Sequence, residues 1–339
     1  MKLNDFAYYL TGFLTKYLPN QIGASENTIS SYRDTFTLFL EFMRDKKHVA
    51  VEKIILARIK KDDIEEFLDW IEIERKCSAS TRNVRLAALH SFFKYLQYEN
   101  PDYLLEWQRI LSIPIKKCEK RIMTYMTVDG IKLLLEIPDM ATRDGRRDLA
   151  LLSLMYDTGA RVQEIINLTP SCIRFEHPST IKLTGKGKKI RIVPLMEKET
   201  LILKKYMEEE KLLTPAAGQY PLFFNRRKEK LTRTGVGYIL DKYIKMARKI
   251  NNALIPEKFT CHCLRHSKAM HLLQAGVNLV YIRDILGHSS VQTTEIYARA
   301  DCKQKREAIE RAYTDVTAKE LPIWQTNNSL LEWLKNFNR

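Results

Sequence analysis

One stretch of the sequence constrains the fold most, because it departs from the pattern of the rest of the chain. Residues 172–195 read CIRFEHPSTIKLTGKGKKIRIVPL, in which β-branched and aromatic residues are interrupted by proline and glycine. This composition is typical of short antiparallel strands joined by tight turns. Gly185 and Gly187 flank Lys186 where a β-hairpin would turn, so we predict that this lysine lies on a mobile tip. Basic hairpin tips are common, and this feature alone indicates little.

Apolar residues at helical spacing predict helices on both sides of this small sheet. An extra helix is predicted within residues 1–21, and a second carries Ile29, Tyr32, Phe36, Phe39 and Phe42. Asp62 or Asp63 is expected to cap a third helix, and a fourth begins near Ser80. Further helices are predicted over residues 128–137, 146–156 and 232–249, and from His262 onward. The predicted fold class is therefore mainly α, with an N-terminal helical bundle and a mixed α/β domain that contains a small antiparallel sheet.

A basic stretch with a proline and little helical period predicts a domain boundary. Residues 113–125 read IPIKKCEKRIMTY. We predict a helical domain over residues 1–112, a linker over 113–124, a second domain over 125–315 and a tail over 316–339. The tail contains SLLEWLKNF, an amphipathic segment too short to be a stable helix alone, so we expect it to dock on another surface.

The charge of the chain indicates the class of its partner. The formal net charge is +15, which favours a polyanion such as nucleic acid or an anionic membrane. The sequence contains no long uncharged apolar run, and its first ten residues include an aspartate where a signal peptide would be apolar, so we expect a cytoplasmic protein without membrane association. Six cysteines are scattered without a regular spacing, and we expect free thiols.

The fourth predicted helix carries basic side chains beside its apolar stripe. Arg82, Arg85 and Lys94 fall mainly on other faces than Leu86, Leu89 and Phe93. A solvated basic face is one interpretation. A contact with a DNA backbone is the other, and the net charge of the chain is compatible with it.

The segment CHCLRH, residues 261–266, has three interpretations. A zinc site would use its cysteines and histidines, but neighbouring residues on a helix point to different faces, and no H-E-x-x-H motif or second C-x-x-C pair lies nearby. A cysteine nucleophile has no feature that marks an activated thiol. We favour the third interpretation, in which His262, Arg265 and His266 begin a helix that ends near Ala275 before Gly276 and form an anion site.

A second arginine opens a helix in MYDTGARVQEIINL. Gly159 is predicted to end one helix, and Arg161 to begin the next, where Glu164 could hold it one turn later. An arginine on a glycine turn is well placed to bind phosphate. A surface salt bridge is the alternative for this peptide alone.

A histidine and a tyrosine follow in LGHSSVQTTEIYAR. Asn278 is expected to cap a short helix that ends at Gly287 and leaves His288 outside it, and Ser289 or Ser290 to cap the next helix, which carries Tyr297. A single tyrosine on a helix usually packs. In combination, however, two arginines, a lysine, two histidines and a tyrosine suffice for phosphoryl transfer through a covalent tyrosyl intermediate without a metal.

Four motifs occur in an order and spacing that resemble those of the tyrosine recombinase (phage integrase) superfamily. They are TGARVQEI, TGKGKKIRIVPL, HCLRHSKAMHLLQAG and LGHSSVQTTEIYAR. The resemblance of the catalytic part covers roughly residues 125–313, and residues 25–100 resemble the SAM-like core-binding domain that precedes it in integrases and Xer-type recombinases. A separate N-terminal arm-binding domain is not expected. Cys261 and Cys263 depart from the family pattern and are interpreted as packing thiols.

The resemblance implies roles for individual residues. Arg161 and Arg265 would bind the phosphate, Lys186 would act as general acid, and Tyr297 would be the nucleophile. His262 would assist proton transfer, His288 would be the second histidine, and Glu164 would support the first arginine. Residues expected to contact DNA are Arg82, Arg85, Lys94, Lys116, Lys117, Lys120, Arg121 and Lys188.

The resemblance also implies a reaction cycle and an assembly. Two domains with a DNA breaking-rejoining fold would enclose duplex DNA, and Tyr297 would form a 3′-phosphotyrosyl bond and release a 5′-hydroxyl that attacks a partner strand through a Holliday junction. We expect a tetramer on DNA, a tail that docks on a neighbouring protomer, no cofactor and no metal. The expected role is integration or excision of a mobile element in a bacterial, nucleoid-associated setting.

Alternatives from other functional classes stay open. One is a chromosome-dimer-resolving Xer-type recombinase, and another is a relaxing topoisomerase with the same chemistry. A third is a DNA-binding protein that has the fold but not the reaction. The presence of all six catalytic side chains argues against the third.

Overall fold

The computed structural model describes residues 4–118, 123–288, 290–300 and 334–335. The chain divides into two compact units, residues 1–121 and 122–339. Ile113 is still buried in the core of the first unit, and Met126 is already buried in the core of the second. The described residues are mainly helical with a small antiparallel sheet, which confirms the predicted fold class.

The first unit is built from helices. They are α1 (Asp5–Gly12), which continues as π-helical turns over Phe13–Gln21, α2 (Glu26–Asp45), α3 (Lys61–Ile73), α4 (Ala79–Glu99) and α5 (Leu104–Leu111). Serine side chains cap the two long helices, since Ser25 accepts from the backbone N–H of Thr28 and Ser78 from that of Thr81. Short 3₁₀ turns at Val51–Lys53, Leu56–Arg58 and Pro101–Tyr103 connect them.

An aromatic cluster forms the core of the first unit. Phe92 of α4 lies 5.0 Å from Phe36 of α2 and 5.3 Å from Phe13, measured between ring centroids, with the rings edge to face. This arrangement is the favoured geometry for aromatic pairs and adds to the burial of the rings. The predicted cap of α3 differs in detail: the helix begins at Lys61, and Asp63 accepts from the backbone N–H of Lys60 three residues before it.

The second unit contains the sheet and eight further helices among its described residues. In chain order they are α6 (Val128–Glu136), α7 (Arg143–Thr158), α8 (Val162–Ile166), β1 (Ile173–Arg174), β2 (Thr180–Thr184), β3 (Ile190–Pro194), α9 (Glu197–Glu209), α10 (Arg233–Ile250), α11 (Cys261–Gln274), α12 (Leu279–Leu286) and α13 (Gln292–Ala300). Helix α9 and helix α5 of the first unit had no counterpart among the predicted elements. No helix of the described residues has the length and apolar character needed to cross a bilayer.

The sheet and α7 share one core, while α11 to α13 share a second. Strand β2 lies between β1 and β3, and both neighbours are antiparallel to it. Ile181 pairs with Val193, and both side chains are buried in the core cluster that also contains the apolar residues of α7. The smaller cluster contains Met270, Leu286 and Tyr297, so the predicted nucleophile is part of a packed core.

Candidate active site

A glycine turn positions the first arginine. Gly159 ends α7 in the left-handed conformation with φ of 57°, and a Cβ atom built there would lie 2.6 Å from Cδ2 of Leu286. A side chain at this position would therefore be both strained and crowded. Arg161 follows at the start of α8, with its side chain one-third exposed. The predicted helix end at Gly159 and helix start at Arg161 are confirmed.

Glu164 holds this arginine at both ends. Its carboxylate accepts from the backbone N–H of Arg161 and from Nη1 of the same residue, each at 2.9 Å. The Glu164 side chain is only 3% exposed, so Arg161 is bound to a buried carboxylate and not to a surface ion pair. The surface salt bridge considered for this peptide does not describe its environment.

Arg191 of β3 completes this ion cluster and was missed by the sequence reasoning. Its Nη1 and Nη2 donate to the two carboxylate oxygens of Glu164 at 3.0 and 2.6 Å, and its Nε donates to the carbonyl of Ile285 at 2.8 Å. Burial alone would raise the pKa of Glu164, but the hydrogen bonds from Arg191 and Arg161 outweigh it and hold the pKa below its usual value. Glu164 is therefore ionised at neutral pH.

The signal for Arg191 lies in the strand register. Alternation along IRIVP would direct the isoleucines toward the core, yet Ile190 and Ile192 are exposed. Arg191 pairs with Leu183, and Val193 pairs with Ile181, and these two partners on β2 are fully buried. Counting from the apolar residues of β2 would have placed the arginine on the inner face.

The second arginine is buried at the start of α11. Arg265 is 3% exposed, and its Nη1 and Nη2 donate to the carbonyls of Gly159 at 2.8 Å and Leu286 at 2.7 Å. Burial, together with the positive charge of Arg161, lowers the pKa of Arg265 to about 10, which still leaves it charged at neutral pH. Arg161 also approaches this region, since its Nη2 lies 3.4 Å from the carbonyl of Gly287. The two arginines that the sequence separates by more than a hundred residues therefore meet.

The C-terminal end of α12 is the common acceptor for these cations. Ile285, Leu286 and Gly287 offer their carbonyls in succession to Arg191, Arg265 and Arg161. The last carbonyls of a helix have no partner within the helix and carry partial negative charge. These carbonyls therefore offset part of the repulsion among three guanidinium groups that lie close together.

Tyr297 of α13 lies against two histidines. Its hydroxyl oxygen is 3.1 Å from Nδ1 of His266, and its ring stacks on that of His288 with the planes 10° apart. The residue is 1% exposed. Burial raises the pKa of Tyr297, although the charges of Arg265 and Arg161 oppose this shift.

The histidines of the site are neutral. Burial is the largest cause in each case, and nearby arginines add to it, so the pKa of His262 lies below its usual value and that of His288 falls to about 4. His288 lies just beyond Gly287, as predicted, and its Nδ1 is 2.9 Å from Oγ1 of Thr294. His262 contacts the ring of His266 at 5.8 Å between centroids. His266 itself was placed at the anion site by the sequence but received no catalytic role.

The hairpin that carries Lys186 borders this site. Residues 186–188 form the tip between β2 and β3, closed by a 2.8 Å hydrogen bond from the N–H of Gly185 to the carbonyl of Lys189. Gly187 has φ of 72°, in accordance with the predicted glycine turn. A cleft of about 740 Å³ is lined by the hairpin, Arg161, Arg191, Gly287 and His288. The backbone of Lys186 is thus at the rim of a basic cleft next to the arginines.

The cysteines of α11 have no activated character. Cys263 is buried, and burial raises the pKa of Cys261 to about 11. The cysteines at 77, 118, 172, 261 and 263, which the structure describes, are free thiols. Among the described residues, no group of three or more His, Cys, Asp or Glu side chains is arranged to hold a metal ion.

The predicted DNA-contacting residues differ in their surroundings. Arg82 donates to the carbonyl of Pro114 at 3.0 Å. Arg85 donates to the carbonyl of Ser31 at 3.0 Å and to the hydroxyl of Thr35 at 3.1 Å. These arginines are not on the freely solvated face that was considered for them; they connect α4 to other segments of their own unit. Lys94, Lys117 and Lys188 are exposed, Lys116 pairs with Glu72 at 2.8 Å, and Lys120 and Arg121 lie outside the described residues.

Comparison with known proteins assigns the family. The model of the phage integrase family matches residues 124–304, and that of the phage integrase N-terminal SAM-like domain matches residues 11–100. The chain belongs to the phage integrase family. It is a tyrosine recombinase. The relatives and the solved structure described below match it over 88–98% of its length.

Two relatives and one solved structure illustrate the extent of the similarity. The recombinase is 36% identical over 333 residues to the “Putative integrase/recombinase y4rC” of Sinorhizobium fredii, covering 98% of each chain. It is 31% identical to the tyrosine recombinase XerC of Thermodesulfovibrio yellowstonii, covering 92% of this chain and 98% of that one. The structure of the XerH site-specific recombinase bound to difH substrate, a pre-cleavage complex, matches with a TM-score of 0.66 and 26% identity over 88% of this chain and 84% of that one.

Proposed function

We propose that this recombinase cleaves and rejoins double-stranded DNA at specific sites through a covalent 3′-phosphotyrosyl intermediate. The observation that carries the proposal is the convergence of Tyr297, Arg161 and Arg265 at one site, from three separate segments of the chain. A phenol beside two fixed guanidinium groups is suited to attack a phosphodiester, because the cations offset the charge that develops on the phosphate oxygens. The net charge of +15 supports a polyanionic substrate.

In the proposed cleavage step, the hydroxyl of Tyr297 gives its proton to a base of the site while its oxygen attacks the phosphorus. The P–O5′ bond breaks, and Lys186 gives a proton to the leaving 5′-oxygen. Arg161 and Arg265 bind the two non-bridging oxygens, and Glu164 keeps the first of them in place. His262 assists proton transfer and His288 supports the ring of Tyr297.

Strand exchange reverses this step on a different end. The free 5′-hydroxyl of a partner strand attacks the phosphotyrosyl bond, which restores Tyr297 and creates a Holliday junction. The energy of the broken phosphodiester is kept in the tyrosyl ester. In this scheme, neither ATP nor a metal ion is needed.

The proposed assembly is a tetramer on DNA. The tail, residues 316–339, would dock on a neighbouring protomer; apart from residues 334 and 335 it lies outside the described residues. The exposed Lys94, Lys117 and Lys188 would contact the DNA backbone. The predicted domain bounds of 1–112 and 125–315 fit this assignment of one DNA-contacting and one catalytic unit. The setting we propose is the bacterial cytoplasm, where the nucleoid lies.

The biological role that we propose is integration or excision of a mobile element. The relative that matches over 98% of both chains bears the name of an integrase/recombinase and supports this role. Resolution of chromosome dimers is the second candidate, because the match to the XerC relative covers 98% of that relative's length. Selecting bound sequences from a random DNA pool would separate the two roles. Sites that match the ends of an element beside the coding region would favour the first, and a single site in the host chromosome the second.

The reaction is tested with a nicked suicide substrate built from the selected site. The strand upstream of the break carries a 5′ label, and the nick lets the short leaving fragment diffuse away. The wild type should form an adduct that survives denaturant and carries the label, whereas Tyr297→Phe should form none. Tyr156→Phe is the matched control, because this tyrosine also bonds a histidine of α11 through its hydroxyl.

Two results would contradict the proposal. One is a wild type that binds the selected DNA but gives no adduct, as a DNA-binding protein without the reaction would. The other is an equal adduct from Tyr297→Phe.

A further inference from the structure

We infer that His266 is a catalytic residue that accepts the proton of the Tyr297 hydroxyl during attack on the phosphodiester. The inference deepens the proposed function and rests on it. The family resemblance implies that His262 assists proton transfer. The geometry points to the histidine one helical turn later on the same face of α11.

The contact is direct and enclosed. Nδ1 of His266 lies 3.1 Å from the hydroxyl oxygen of Tyr297, within hydrogen-bond distance. The tyrosine is 1% exposed, so its hydroxyl needs a partner inside the protein. His262 contacts the ring of His266, not the phenol, in the hydrogen bonds and ring contacts of the described residues. Of the two histidines, His266 is therefore the one that reaches the reacting atom.

The charge of His266 suits an acceptor. Burial lowers the pKa of His266 to about 4, and the neighbouring His262 and Arg265 add to this shift. The imidazole is thus neutral at physiological pH, with one nitrogen free to accept a hydrogen bond. If the ring hydrogen of the neutral imidazole is on Nε2, Nδ1 can accept the hydrogen bond from the Tyr297 hydroxyl. The lone pairs of the tyrosine oxygen then point away from the histidine.

With His266 as the acceptor, every proton that moves during the cycle has a donor and an acceptor. As the P–O bond to Tyr297 forms, the hydroxyl proton moves to Nδ1 of His266, while Lys186 protonates the leaving 5′-oxygen. In rejoining, the imidazolium returns the proton to the departing tyrosine oxygen and Lys186 takes up the proton of the attacking 5′-hydroxyl. The phosphate that enters the site is an anion and stabilises the imidazolium during the cycle.

The test variant is His266→Asn, because an asparagine side chain keeps an oxygen or nitrogen near the position of Nδ1 but cannot take up a proton in this range. The matched control is His271→Asn. His271 lies on the same helix, and its Nδ1 is 2.9 Å from the hydroxyl of Tyr156, so the control breaks the same kind of pair away from the nucleophile. Affinity for the selected DNA should stay unchanged in both variants.

Single-turnover cleavage of the suicide substrate is measured between pH 7 and pH 8.5. In wild type and in His271→Asn the rate should change little with pH, because the groups that face the phenol keep their charge over this range; they are His262, Arg265, Arg161 and His288. In His266→Asn the rate should fall by about 10²–10⁴-fold near pH 7. It should then rise by about tenfold per pH unit, because only the phenolate of Tyr297 can attack without an acceptor.

A second measurement separates proton transfer from a structural effect. Replacing Tyr297 by 3,5-difluorotyrosine lowers the pKa of the phenol and should restore most of the rate in His266→Asn, with little gain in wild type. The inference is overturned if His266→Asn cleaves at the wild-type rate, if it slows without the new pH dependence, or if the fluorinated tyrosine gives no rescue. A wild type that forms no adduct would overturn the proposed function as well, whereas these three results leave that function standing.

Discussion

The buried pair of Glu164 and Arg191 gives the sharpest test of how the site is held. Arg191→Ala removes two hydrogen bonds to a carboxylate that is 3% exposed and one to the carbonyl of Ile285. The carboxylate keeps Arg161 as a partner, but each of its two oxygens loses one of its two donors. Breaking a buried ion pair by removing one partner costs about 3–5 kcal/mol, because the remaining buried charge loses compensation that water cannot replace.

The magnitude can be measured by unfolding the full chain. The change should appear in the transition of the second unit, residues 122–339, as a fall in Tm of roughly 2–4 °C for each kcal/mol, hence about 6–20 °C. The matched control is Arg174→Ala on β1 of the same sheet. Its ion pair with Glu176 is exposed on both sides, at 70% and 73%, and its loss should leave the transition where it is.

The pH dependence of this difference has a definite sign. The pKa of Glu164 in the folded protein lies below its ordinary value of 4.5, although burial opposes this, because the bonds from Arg191 and Arg161 favour the carboxylate. A group with a depressed pKa stabilises the fold at pH values above its unfolded pKa, and this contribution is lost as the pH falls through the folded pKa. The gap between wild type and Arg191→Ala should therefore be full at pH 7 and shrink below about pH 4.5.

A double variant tests whether the energy belongs to the pair. If Arg191 acts through Glu164, Arg191→Ala should cost much less when Glu164→Gln is already present, since the buried negative charge is then absent. A loss of less than about 1 kcal/mol in the single variant, the scale of an exposed pair, would refute the structural role of Arg191. A loss that is the same at pH 4 and pH 7, or that is unchanged by Glu164→Gln, would refute it as well.

Two further predictions concern the hairpin and the glycine turn. Lys186→Ala should slow cleavage of ordinary DNA by about 10²–10⁴-fold but slow cleavage of DNA with a 5′-bridging sulfur far less, since that leaving group needs no proton; equal slowing on both substrates would remove the acid role. Gly159→Ala should lower the unfolding free energy by about 1–3 kcal/mol, because φ is 57° and the new Cβ would lie 2.6 Å from Leu286. Gly237→Ala inside α10, where nothing lies within 4 Å of the added Cβ, should be neutral or stabilising, and a similar loss in both glycine variants in urea unfolding would contradict the steric argument.

The turns of the site were predictable because they depend on local rules. A glycine after an apolar helical stripe indicates a left-handed helix end, and this places Gly159 and Gly287 correctly. Two glycines between β-type segments indicate a hairpin tip, which is where Gly185 and Gly187 lie. Arg161 lies two residues after Gly159 and His288 directly follows Gly287, so the same rules predict where they leave their helices.

The partners across the fold were not predictable, because they depend on register and on packing between distant segments. Arg191 looks like the outward residue of an isoleucine strand, and only its pairing with Leu183 directs it inward. Arg85 looks solvated on its own helix, but Ser31 and Thr35 of α2 offer acceptors there. His266 has the same chemistry as His262, and only the approach of α13 decides which of them meets Tyr297.

The end of α12 explains how three arginines can be held close together at one site. A cluster of guanidinium groups repels itself, and burial of Arg265 adds a desolvation cost. Three successive carbonyls, from Ile285 to Gly287, meet one arginine each, and Glu164 supplies the remaining negative charge. Because a Cβ at Gly287 would lie 2.9 Å from Nη1 of Arg191, this helix end has no room for a side chain. The same glycine that ends α12 thus allows the arginines to approach its carbonyls, and the backbone arranges the cations of the site as much as the side chains do.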